Sequence, residues 1–217
     1  MDKANEIPAS PLDIFLLPGW VHKKISEKLP GLIAASFFVG LYDLFYYQNL
    51  IDAGFFGGDF KTLLLRVLLF IIFSLLMGAA DIFVCMVPVG GLAIMIGNRS
   101  GQYTGGRIPV ILMKSYALSH IFAFVPATIF IYSGIDWTNV NASSAGWLRV
   151  LFSALVVIIT ILPYIQLGVV YRTISVKTRI QIFGKFILIF AAYFWMKLTS
   201  GIIYYLEAAA QKILLNI

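Results

Sequence analysis

The stretch LLLRVLLFIIFSLLMGAADIFVCMVPVGGLAIMIG, residues 63–97, decides the fold class. It carries only two charged side chains, Arg66 and Asp81, and exceeds the ~20 apolar residues that a helix needs to cross a bilayer. Pro88, Gly90 and Gly91 interrupt it near one end, so its length alone allows one kinked helix or two shorter pieces. Further apolar stretches lie on either side, at 31–52, 108–133, 148–171 and 183–206. Of the 217 residues, 60% are hydrophobic and 12% charged, with a mean hydropathy of +0.92, which excludes a soluble domain. The expected fold is all-α: a polytopic integral membrane helical bundle of about five transmembrane helices. Residues 1–30 form a lead-in with an N-terminal interfacial helix, 31–206 the membrane domain and 207–217 a short C-terminal tail. The lead-in lacks the apolar core and cleavage site of a signal peptide.

Charge distribution chooses between the readings of 63–97. With five spans and a cytoplasmic N-terminus, eleven of the sixteen Lys and Arg residues fall inside: Lys3, Lys23, Lys24, Lys28, Arg99, Arg107, Lys114, Arg172, Lys177, Arg179 and Lys185. Four fall outside, Lys61, Arg66, Arg149 and Lys212, and Lys197 lies within the last span. This asymmetry is the positive-inside pattern, and splitting the second span would reverse it for half the chain. One kinked helix is therefore expected. The net charge of +6 is a topology signal and does not point to nucleic acid. Tyr and Trp residues near the expected ends, such as Trp20, Tyr132, Trp147 and Tyr171, sit where amphipathic rings prefer to lie.

In the lead-in, Trp20, Val21, Ile25 and Leu29 share about half of a helical wheel, with His22, Lys23, Ser26 and Glu27 away from them. This predicts a helix lying in the interface, its lysines toward anionic headgroups. No nucleotide, zinc-hydrolase or serine-nucleophile motif is present, so no catalytic residue, metal or cofactor is expected. The single cysteine, Cys85, excludes an internal disulfide. The loop GNRSGQYTGGRIP, residues 97–109, holds Arg99, Tyr103 and Arg107 as candidate inner-loop contacts, against the simpler reading of a flexible turn.

Four ionisable residues lie inside the expected spans: Asp43, Asp81, His120 and Lys197. Counting ~1.5 Å per residue from the cytoplasmic ends puts all four roughly 18 to 24 Å deep, near one level. Intramembrane charges normally face the bundle interior and pair with one another. The four are thus expected to form a polar cluster, either a helix-locking salt bridge from Lys197 to Asp43 or Asp81, or a proton or ion relay. Ser36 with Gly40 and Ser74 with Gly78 are small-x-x-x-small pairs suited to close helix contact. The same counting sets them at different depths, so they are not expected to face each other.

The lead-in SPLDIFLLPGWVHKKISEKLP, the loop GNRSGQYTGG running into RIPVILMKSYALSHIFAFVP, and the basic segment VVYRTISVKTRIQIFGKFILIF feeding the last span cover nearly the whole chain in layout. In these the chain resembles the YIP family, the Ypt/Rab-interacting-protein-like membrane proteins, in its prokaryotic form. It departs from the eukaryotic members in lacking a long N-terminal region with an Asp-Leu-Tyr-Gly-Pro motif. It also has Ser115, Tyr116 and a later Pro126 where the family often shows Gly-Tyr and a nearby proline. The resemblance implies a non-enzymatic protein of a prokaryotic plasma membrane, acting on the bilayer or through other membrane proteins, with self-association open. The leading expectation is an accessory or scaffold for a transport system or membrane organisation. The second is a small solute or ion carrier that uses the midplane cluster.

Overall fold

The computed structural model describes residues 13–45, 49–101 and 107–216. Among them the chain is helical throughout, with no strand. In order come α1 (Asp13–Leu16), α2 (Gly19–Lys24), α3 (Pro30–Phe45), α4 (Asn49–Asp52), α5 (Phe60–Arg99), α6 (Ile108–Ser119), α7 (Ile121–Tyr132), a 3-10 turn at Trp137–Asn139, α8 (Gly146–Lys177) and α9 (Ile182–Leu215). Four helical segments are long and apolar enough to cross a membrane: α5, the pair α6–α7, α8 and α9. α3 is apolar but has 16 residues, ~24 Å of rise against a hydrocarbon core of ~30 Å. The chain is a polytopic all-α membrane bundle.

α5 is one continuous helix of 40 residues, as the charge count requires. It starts at Asp59, whose carboxylate accepts from the Lys61 amide (3.2 Å) and the Thr62 hydroxyl (2.5 Å). These bonds favour the charged form and hold the Asp59 carboxyl below its ordinary range. Beyond its last residue, Arg99, and the cap at Ser100, Gly101 turns the chain away with a left-handed φ of 66°. Pro88 does not break α5. It removes the amide that would bond the Val84 carbonyl one turn back, and the Trp195 indole of α9 donates to that carbonyl at 2.7 Å.

α3 packs along α5 more extensively than any other pair of helices. A Cβ on Gly40 would overlap the Ser74 carbonyl, and one on Gly78 the Ser36 carbonyl. The two small-x-x-x-small pairs therefore face each other, contrary to the depth count. That count assumed that every helix starts at one level. Gly90 packs on Pro109 at the start of α6, so the last turns of α5 overhang the bundle and its residues lie shallower than counting from residue 97 implies.

The lead-in is not one interfacial helix. Leu17, at φ 64°, and Pro18 separate α1 from α2, which ends at Lys24. Trp20 is exposed beneath the Lys24 ammonium, 4.9 Å from the ring centroid, but His22 turns inward and is fully buried. Its Nε2 donates to the Leu16 carbonyl (2.8 Å), and its Nδ1 accepts from the Thr173 hydroxyl of α8 (2.7 Å), which in turn bonds Ser115 of α6 (2.5 Å). Asp13 pairs with Arg172, and Lys177 donates to the Lys23 carbonyl (2.8 Å). Lys114 holds the Ser26 (2.9 Å) and Lys28 (2.6 Å) carbonyls. The segment is a strap across one end of the bundle. Partners on α6 and α8 outweigh the apolar stripe on the helical wheel.

Candidate functional site

Asp43 comes from α3, Asp81 from α5 and His120 from the break between α6 and α7. All three are buried, at 5%, 4% and 3% exposure. One carboxylate oxygen of each Asp and one imidazole nitrogen all lie within 4.8 Å of one another. The close approach of α3 to α5 at Gly40 and Gly78 is what lets Asp43 reach Asp81, three residues further along each helix.

Each member is held differently. Asp81 Oδ1 accepts from Cys85 Sγ (3.2 Å) and the Tyr116 hydroxyl (3.3 Å), while its Oδ2 lies 3.8 Å from His120 Nε2. His120 Nδ1 bonds the Tyr116 carbonyl at 3.0 Å. A carbonyl only accepts, so Nδ1 carries a proton, and in the neutral ring the Nε2 lone pair faces the carboxylates. The rings of Tyr116 and Tyr42 stand edge-on to the imidazole, with centroids at 4.8 and 5.5 Å. Asp43 Oδ2 is buried without a hydrogen-bond partner among the described residues.

Asp43 and Asp81 line a cavity of about 440 Å³ between α3, α5, α6, α8 and α9, and His120 lies behind them, off its wall. Its polar wall includes Tyr116, Gln166, Lys197, Ser200 and Glu207. Lys197 is on this wall but makes no ion pair among the described residues, so the salt bridge expected from it to Asp43 or Asp81 is not formed. Asp43, Asp81 and His120 are brought together, and Lys197 lines the same cavity as the two carboxylates without joining the cluster.

Glu207 was outside the expected site because the last span was expected to stop at residue 206. α9 instead continues to Leu215 and carries Glu207 into the cavity, so the expected tail is helical as far as Leu215. Tyr116 and Cys85 also escaped notice, although each stands one turn from a cluster member, at i−4 from His120 and i+4 from Asp81. Arg99 and Arg107 are exposed at the ends of segment 102–106, and Tyr103 lies outside the described residues. Arg99 and Arg107 are not assembled into a site with any other described residue.

The chain matches no family model, no curated protein and no solved structure, so the reading of this site rests on its geometry.

Proposed function

We propose that the protein is a small solute or ion carrier, with Asp43, Asp81 and His120 as its coupling site. The observation that supports this reading is the pair of buried carboxylates lining a cavity with no Lys or Arg paired to them among the described residues. An ionised Asp at the centre of a membrane helix costs roughly 2.5 to 3.5 kcal/mol on insertion scales. A helix-locking role would use Lys197 to offset that cost. A coupling site leaves the charge to be matched by a cation that comes and goes. No covalent chemistry is assigned. The clustering of basic side chains at the strap end supports a cytoplasmic N-terminus, and the YIP-like layout a prokaryotic plasma membrane.

The test is flux in proteoliposomes. Wild-type protein is expected to carry a proton or metal-ion current under an imposed gradient, and Asp81→Asn to lower it at least tenfold. Flux that is absent from the wild type, or equal in the two proteins, would dispose of the carrier reading.

The accessory or scaffold reading is favoured by a separate feature, an apolar groove of about 600 Å³ between α8 and α9 lined by Tyr164, Leu167, Phe186, Phe190 and Tyr193. Affinity purification in mild detergent distinguishes the two. A stoichiometric membrane-protein partner supports the accessory role, and a solitary chain supports the carrier.

A further inference from the structure

We propose that Asp43, Asp81 and His120 bind a divalent transition-metal cation, of the manganese, iron or zinc kind, at the head of the cavity. The proposal deepens the carrier reading and rests on the same site.

Three features of the cluster point to such an ion. The first is the donor set. Two carboxylates and one imidazole suit first-row transition metals, whereas magnesium and calcium prefer oxygen ligands alone. With His120 neutral, two ionised carboxylates balance a divalent charge, which a buried site at mid-membrane requires. The second is orientation. The Tyr116 carbonyl fixes the tautomer that leaves His120 Nε2 free to ligate. The Cys85 thiol and Tyr116 hydroxyl both engage Asp81 Oδ1, which leaves Oδ2 toward the imidazole. Cys85 is thereby a supporting donor and not a ligand. The third is the orphaned Oδ2 of Asp43, a residue that lines the cavity: the atom is buried with no hydrogen-bond partner among the described residues.

Spacing is compatible with this assignment. Three ligand atoms at 2.0 to 2.2 Å from one metal are at most about 3.8 Å from one another. The three atoms lie within 4.8 Å of one another, so a contraction of about 1 Å, within reach of side-chain rotation, closes the site. Three protein ligands leave positions open toward the cavity for water, the arrangement of a site that exchanges its ion. Glu207 on the cavity wall supplies a further carboxylate along the approach.

The experiment uses the full chain in detergent after removal of any affinity tag. Zn²⁺ and Mn²⁺ are measured by equilibrium dialysis with elemental analysis, and Co²⁺ by its visible absorption. One ion per chain is expected for the wild type and for His22→Gln, which alters the other histidine. Asp43→Asn and His120→Gln are each expected to weaken binding at least tenfold while eluting from size exclusion as the wild type does. No binding by the wild type, or binding that both cluster variants retain, overturns the metal site. The same preparations, reconstituted with a metal indicator and a pH dye inside the vesicles, separate this failure from that of the carrier reading. Asp81-dependent proton flux without metal binding overturns the metal site and keeps the carrier. Metal binding without flux keeps the metal site and overturns the carrier.

Discussion

His22 shows how one residue converts a flexible-looking lead-in into a fixed strap. With the ring neutral, a hydrogen-bond chain runs from the Ser115 hydroxyl through Thr173 and the imidazole to the Leu16 carbonyl. Burial lowers the His22 pKa from its ordinary 6.5, and the Arg172 guanidinium adds to that effect; the Leu16 carbonyl and the Asp13 carboxylate act in the opposite sense. The freed strap therefore binds a proton at a pH where the docked one does not. Docking is complete above about pH 6.5 and weakens as the pH falls below it, by at most ~1.4 kcal/mol per pH unit. Hydrogen exchange of the amides of 13–24, corrected for the intrinsic rate, is expected to quicken at pH 5 relative to pH 7.5. In His22→Gln it is expected to be fast at both values. A pH effect that survives the substitution would assign it to another group. The sequence placed His22 on the polar face of a wheel, because nothing local reveals a partner 151 residues away.

At the scale of the helices, the contact between α3 and α5 is set by missing side chains. Gly40 and Gly78 lie against backbone carbonyls, which cannot yield as a flexible side chain can. Gly78→Ala is expected to force the helices apart and to destabilise the bundle by about 1 to 3 kcal/mol. Gly91→Ala, in the same helix with nothing within 4 Å, is expected to be neutral or to stabilise by up to ~1 kcal/mol. Thermal unfolding in detergent of both variants beside the wild type checks the pair, and equal behaviour of the two would argue against close packing at Gly78. Because Asp43 and Asp81 follow these contacts by three residues, Gly78→Ala is also expected to weaken whatever cation the cluster holds. Helix-period counting found both motifs but not their partnership, since the register of two helices depends on where each begins relative to the bundle.

For the whole molecule, the strap, Arg99, Arg107, Lys114 and the α8–α9 connection meet at one end, and the 133–145 loop lies at the other. In a Cys85→Ser background, single cysteines at Glu27 and Ser100 are expected to be labelled by an impermeant maleimide only after permeabilisation, and one at Asn141 in intact cells. Reversed labelling would invert the orientation, and labelling of Glu27 and Ser100 from opposite sides would contradict the single helix at Phe60–Arg99. Composition and the spacing of charges were enough to establish an all-helical membrane bundle, the continuity of its longest helix and the presence of buried ionisable residues. These follow from the sequence because lipid cannot hydrogen-bond a backbone, and because Lys and Arg counts act segment by segment. Which of those residues meet was decided only by tertiary structure. The overhang of α5, the Gly40 and Gly78 contacts and the extension of α9 to Leu215 bring Asp43, Asp81 and His120 together, leave Lys197 without an ion pair among the described residues and add Glu207 to the cavity wall. The physical reason is that helix register and helix length are fixed by packing between elements, and a linear sequence carries no measure of that offset.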